Sequence, residues 1–368
     1  MKLTSIDLLR VELPLVAPFR TSFGVQHVKD ALLLRVHTPD GDGWGECVAM
    51  REPVYSSEYV DGAQAVLRSF LIPRLAGRGG VTAADVAPLL GDVHGHPMAK
   101  AALEMAVLDA ELRAAGTSFA QHLGAVRETV PSGVSVGIMD SIEQLLETVG
   151  AYLAEGYVRI KLKIEPGWDI EPVRAVRERF GDDILLQVDA NTAYTTADVR
   201  HLAQLDAFDL LLMEQPLPED DIRGHAVLAR QIRTPVCLDE SITSARSAAD
   251  AIALGACSVV NIKPGRVGGY LEARRVAAVC AASGVPAWCG GMLETGLGRA
   301  ANAALAALPE FTLPGDISAS GRFYATDITA PFVLESGHIR VPTGPGLGVD
   351  VLADVLADIT VSTETIAF

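Results

Sequence analysis

Three acidic residues and two lysines recur at nearly one interval along this chain. They are Lys163, Asp189, Glu214, Asp239 and Lys263, separated by 26, 25, 25 and 24 residues. Each closes a short apolar run, in order VRIKLK, ILLQVD, LLLME, PVCLD and VVNIK. One strand with its crossover helix takes about 30 residues. The interval therefore predicts successive parallel strands, each delivering a charge at its C-terminal end. In a (β/α)8 barrel those ends converge on one mouth, where active sites lie.

The flanking text agrees with that reading. From Val130 onward, strand-like and helix-like runs alternate, from VPSGVSVGI through PAWCGG to a final candidate strand, FTLPGD, near Asp316. That alternation gives eight strands and seven helices, an α/β modified TIM barrel of the (β/α)7β kind over residues 126–320. Residues 1–50 alternate in β fashion around a turn at PDGDG, and APFRTSFGVQH reads as a loop between two of the strands. Residues 56–124 are helical in pattern, most clearly from Met98 to Gly116. Strands followed by helices predict an N-terminal α+β capping domain over 1–125. Residues 321–368 are expected to return to that cap.

Composition narrows the partners. A net charge of −16 makes nucleic acid and anionic membrane surfaces poor partners. No apolar run approaches the length of a membrane span. The N-terminal stretch carries Asp7, Arg10 and Glu12 where a signal peptide needs an apolar core. The cysteines number five, an odd count without CxxC spacing, and read as free thiols of a reducing cytoplasm. The expected partner is a small-molecule carboxylate.

Asp189, Glu214 and Asp239 offer only oxygen, which suits Mg²⁺ or Mn²⁺ rather than zinc. Asn191 and Glu240 follow them closely enough to orient them. Lys161 and Lys163 share one strand face. Burial and like charge there should depress an ammonium pKa and make one lysine a usable base. Lys263 would face Lys163 across the mouth. Two lysines on opposite sides of one carbon can remove and return a proton α to a carboxylate, with a metal steadying the enolate. No histidine lies between residues 226 and 337 to act instead. A Schiff-base aldolase using Lys263 and a barrel that binds without turnover are competing readings; the carboxylate trio argues against both.

The segments KLK, VDAN, MEQPL, LDES and NIKPGRVGG resemble the muconate-lactonizing subgroup of the enolase superfamily. The runs APFRTSFG, GWGECV, YSSEY, RIKLKIEPGWD and WCGGMLETGLGRAAN are similar to those of N-acylamino acid racemases that also act as o-succinylbenzoate synthases. The resemblance implies Mg²⁺ on Asp189, Glu214 and Asp239. It implies Lys163 and Lys263 as the acid/base pair, and Lys161 beside the substrate carboxylate. Ser135, Gly291, Met292 and Leu293 would line the pocket. Phe19, Phe23, Met50 and Tyr55 would come from two cap loops closing over it, and Arg266 would adjust Lys263. It also implies a homo-oligomer, an octamer or a dimer. A muconate-type cycloisomerase is the rival within the subgroup. Asp316 stands alone where dipeptide epimerases carry Asp-x-Asp, which argues against recognition of a dipeptide amino group.

Overall fold

The computed structural model describes residues 1–368. Strands β1 (Ser5–Thr21), β2 (Gly24–Thr38) and β3 (Gly41–Cys47) form an antiparallel meander. The helix Pro97–Ala115 covers its apolar face, starting on a proline and stopping at Gly116 in the left-handed region. This helix is rich in alanine because it lies directly on β3. A Cβ at Gly43 or Gly45 would sit 2.2 or 2.1 Å from a helix carbonyl oxygen.

The segment around residues 17–27 is not a loop. β1 and β2 continue pairing past a register shift between Pro14 and Phe19 and close on a tight turn between Thr21 and Gly24. Residues 15–18, which include Pro18, interrupt the ladder without ending it: Pro14 still pairs with Val28, and pairing resumes at Phe19 opposite Gln26. The result is a long hairpin whose tip reaches the barrel.

β4 (Thr129–Pro131) precedes the barrel strands. These are β5 (Gly133–Val136), β6 (Arg159–Lys163), β7 (Leu185–Asp189), β8 (Met213–Glu214), β9 (Val236–Leu238), β10 (Val259–Ile262) and β11 (Ala287–Cys289). All seven are parallel and pair in sequence order. The expected eighth strand has no regular ladder. Residues 311–316 close the barrel by single contacts: Thr312 N–H and Asp316 N–H donate to β11 carbonyls, and Gly133 N–H donates to the Gly315 carbonyl. Pro314 has no N–H to give. The segment after β7, read as one helix, is a short α turn between two 3-10 turns.

β12 (Leu334–Glu335) and β13 (His338–Arg340) form a small hairpin that pairs with β4 under the barrel. β14 (Thr360–Ala367) then joins the free side of β1. The C-terminal segment thus touches both barrel and cap. No helix is long and apolar enough to cross a membrane. All five cysteines are free and buried.

Buried glutamates on the cap hold barrel helices by their N-termini. Glu46 on β3 accepts from the N–H groups of Thr295 and Gly298 and from the Thr295 hydroxyl. Glu104 accepts from Leu271 N–H at 3.0 Å. Backbone donors and the helix dipole favour an anion at such places. Burial opposes it and, despite the donors from Leu271 and Tyr270, pushes the Glu104 carboxyl up to about 7. A carboxyl raised in the folded state contributes fully below its unfolded pKa, near 4.5, and loses that contribution as pH rises through 7. Glutamine keeps an acceptor and has no proton to lose. Relative to the parent, Glu104→Gln should therefore gain roughly 2 kcal/mol of unfolding free energy between pH 5 and pH 8, read by denaturant titration. A difference independent of pH would show that burial does not raise this carboxyl.

Candidate active site

The strand ends bring the periodic charges together. Lys163, Asp189 and Glu214 are the last residues of β6, β7 and β8, and Asp239 and Lys263 stand one residue beyond β9 and β10. All five are buried. Lys163 Nζ donates to Asp189 Oδ2 at 2.6 Å and to Asn191 Oδ1 at 2.6 Å. Lys263 Nζ donates to Asp239 Oδ2 at 2.6 Å and to the Tyr55 hydroxyl at 3.0 Å. Glu214 lies between, with Oε2 taking Lys161 at 3.0 Å and Oε1 taking Asn261 at 2.7 Å.

The lysine expectation needs correction at Lys161. Burial does oppose its charge, but Asp316, Glu214 and Asp189 outweigh burial and hold the ammonium above the ordinary lysine range. Lys263 is likewise held up, against burial, by Asp239 and Tyr55. The repulsion foreseen from KLK is thus overridden by carboxylates that the strand pattern brought to the same place.

The three carboxylates are not gathered into one ligating cluster; each is turned to an ammonium. Their chemistry nevertheless fits a hard cation. Asp239 Oδ1 and Glu240 Oε2 are buried without a hydrogen-bond partner. Burial, then Asp189, and with it Asp239, push the Glu214 carboxyl well up, so the trio is crowded with negative charge. Burial and Asp239 push Glu240 up to about 8. Oxygen acceptors in mutual repulsion and in excess of donors are what a divalent cation relieves.

A cavity of about 40 Å³ opens onto these groups. Phe19, Ser135, Lys161, Lys163, Lys263, Gly291 and Leu293 line it. The Ser135 hydroxyl is buried without a partner. Leu293 adopts φ 56°, a left-handed conformation that turns the segment after β11 back over the mouth. Phe23, Met50 and Met292 do not line this cavity. Phe23 and Met50 face an outer groove between the hairpin tip and residues 50–54. The Met292 carbonyl instead takes the buried Lys29 at 3.0 Å, and its side chain lines a smaller void behind the site. Arg266 donates to Glu219 and to the Glu240 carbonyl, and its guanidinium lies 5.3 Å from the Tyr55 ring. Lys263 stands 4.9 Å from that ring.

Sequence reasoning gave no site role to Glu294, Ser318, Phe323 or Asp316, all of which line the cavity. Glu294 and Ser318 each follow a candidate strand, which is the signal that could have found them. Phe323 lies in a tail without periodicity and gave none.

The hairpin tip docks on the barrel mouth. Ile138 N–H donates to the Arg20 carbonyl at 2.9 Å, and the Ser22 hydroxyl donates to the Ala190 carbonyl at 3.2 Å. Arg322 braces it: its guanidinium lies 5.7 Å from the Phe19 ring, 4.8 Å from Phe323 and 5.1 Å from Tyr152, and it donates to the Ser135 carbonyl.

This is a capped (β/α)7β barrel whose mouth carries three carboxylates between two lysines. The chain belongs to the enolase superfamily. Residues 144–355 match the family described as enolase C-terminal domain-like, and residues 4–124 match the mandelate racemase/muconate lactonizing enzyme N-terminal domain. Enzymes of this superfamily generally use a divalent metal, typically Mg²⁺. The chain is 71% identical over 360 residues to an N-succinylamino acid racemase of an Amycolatopsis species, with 98% of each chain covered. It is 46% identical to an o-succinylbenzoate synthase of Geobacillus kaustophilus, over 94% of this chain and 92% of that one. A solved enolase-superfamily member from Listeria innocua superposes with a TM-score of 0.95 at 42% identity, covering 100% of this chain and 99% of the other.

Arg322→Ala removes the brace on Phe19. Hydrogen exchange at Ile138, whose N–H bonds the hairpin tip, should quicken about tenfold, the equivalent of ~1.4 kcal/mol. Exchange in β9 and β10 should not change. Unaltered exchange at Ile138 would mean that the tip is held without Arg322.

Proposed function

We propose that this chain is a divalent-cation enzyme that removes the proton α to a carboxylate and racemises N-acyl, above all N-succinyl, amino acids. The observation that carries the reading is the paired placement of Lys163 and Lys263. Each sits 2.6 Å from an aspartate at the end of an adjacent strand, on either side of Glu214. The racemase of 71% identity supports this substrate class. The synthase of 46% identity favours a second activity at the same residues, loss of water to give o-succinylbenzoate.

Asp189, Glu214 and Asp239 would hold a divalent cation, which would supply positive charge beside the substrate carboxylate. Lys163 is buried two residues from the cationic Lys161 on β6. It removes the α-proton from one face. Lys263 returns a proton to the other face, and the reverse reaction exchanges the roles. Asn191 fixes Lys163, and the Tyr55 hydroxyl fixes Lys263. In dehydration Lys163 takes the α-proton and then gives it to the departing hydroxide, which leaves as water, while Lys263 acts by its charge. Lys161 receives the substrate carboxylate. The cavity of about 40 Å³ is well below the ~300–1,000 Å³ of small-molecule sites. Substrate entry therefore requires the hairpin tip or the loop carrying Tyr55 to move outward.

The test is α-proton exchange of N-succinyl-L-phenylalanine in D₂O, followed by NMR and polarimetry. The parent should exchange and lose optical rotation with Mg²⁺ and do neither in EDTA. Lys163→Ala and Lys263→Ala should each lose racemisation by at least ~10²–10⁴-fold. Racemisation at the parent rate in either variant would remove that lysine from the mechanism.

A further inference from the structure

Behind the cavity lies a buried cation that the mechanism does not use, Arg159. Arg159 and Lys161 are two residues apart on β6, so both side chains enter the barrel from one strand face. Both are buried and lie over the indole of Trp288, at 5.2 and 4.8 Å. Gly133 on β5 makes room for this pair: a Cβ there would lie 2.3 Å from the Arg159 guanidinium carbon. One carboxylate serves both cations. Asp316 Oδ1 accepts from Arg159 at 2.8 Å, and its Oδ2 accepts from Lys161 at 2.5 Å.

Lys161 has two other anions in reach. Glu214 Oε2 lies at 3.0 Å and Asp189 Oδ2 at 3.4 Å. These belong to the trio assigned above to a cation. The other Glu214 oxygen already takes Asn261, so the Lys161 ammonium competes for the remaining one. We infer that Asp316 is a positioning residue that anchors Lys161 on the closing segment and so leaves Glu214 and Asp189 free to take a divalent cation. With Asp316 present, Lys161 keeps a carboxylate oxygen at 2.5 Å when it yields Glu214. Without Asp316, Arg159 repels Lys161 from below, and the metal carboxylates become its only anions. The inference rests on the assignment of Asp189, Glu214 and Asp239 as cation ligands.

The experiment is Mn²⁺ binding to the full-length, substrate-free protein, read by calorimetry and by the EPR signal of free Mn²⁺. It compares the parent with Asp316→Asn, Lys161→Met and the double variant. Asp316→Asn should weaken Mn²⁺ binding about tenfold, the size of effect seen when groups behind metal ligands are removed. Lys161→Met should bind at least as tightly as the parent, and adding Asp316→Asn to it should change nothing further. Parent-like binding by Asp316→Asn overturns the inference. So does an equal loss in the Lys161→Met background, which would mark a merely structural role. If Asp316→Asn does not fold, the single variant Lys161→Met decides: weaker Mn²⁺ binding there overturns the idea of competition. A parent that binds no Mn²⁺, or an Asp189→Asn variant that binds it unchanged, overturns the ligand assignment together with the inference.

Discussion

Charge neutrality without water is the constraint on which the barrel mouth depends. Lys161, Lys163, Lys263, Asp189, Glu214, Asp239 and Glu240 are all buried, and each lysine lies within 3.0 Å of a carboxylate of the set. Breaking one buried pair by removing a partner costs about 3–5 kcal/mol. Such a set survives only when each member faces an opposite charge or a fixed dipole. The parallel strands solve this by register. Lys163 is the direct neighbour of Asp189 across β6 and β7, and Asp189 of Glu214 across β7 and β8. Backbone hydrogen bonding thus places the charges before any side chain has to search.

The same constraint explains why the cap is built into the site. Barrel helices begin beneath the cap, and their exposed N–H groups are taken by Glu46 and Glu104 rather than by water. Lys29 reaches the Met292 carbonyl from β2. These contacts fasten the body of the cap to the barrel. The hairpin tip and the loop bearing Tyr55 extend from that fastened body to the barrel mouth.

Much of this was legible because a repeated βα unit writes its period into the sequence. The interval from Lys163 to Lys263 implied the barrel, and the odd-even rule put Lys161 and Lys163 on one face. What was not legible has a common physical cause. Tyr55 meets Lys263 across 208 residues of chain, and no local pattern encodes such a meeting. The eighth strand failed as a strand because Pro314 lacks a donor and Gly315 bonds outside any ladder. The hairpin around Phe19 was hidden by Pro18 and Gly24, which suggest a loop, although the pairing resumes at Phe19. The raised charge state of Lys161 depends on Asp316, which lies 155 residues away.

The two lysines match in distance but not in dependence. Lys163 takes both of its partners, Asp189 and Asn191, from β7 and the turn after it. Both partners belong to the barrel. Lys263 takes Asp239 from the barrel but Tyr55 from the cap. The Tyr55 ring also lies within cation–π reach of Lys263 and Arg266. Outward movement of the Tyr55 loop would strip Lys263 of its hydroxyl partner and leave Lys163 untouched. Under the proposed mechanism, one face of the substrate meets a lysine whose partners all lie in the barrel, and the other meets a lysine whose second partner, Tyr55, comes from the cap. On that reading, inversion at the α-carbon depends on the Tyr55 contact more than a reaction that uses only one face.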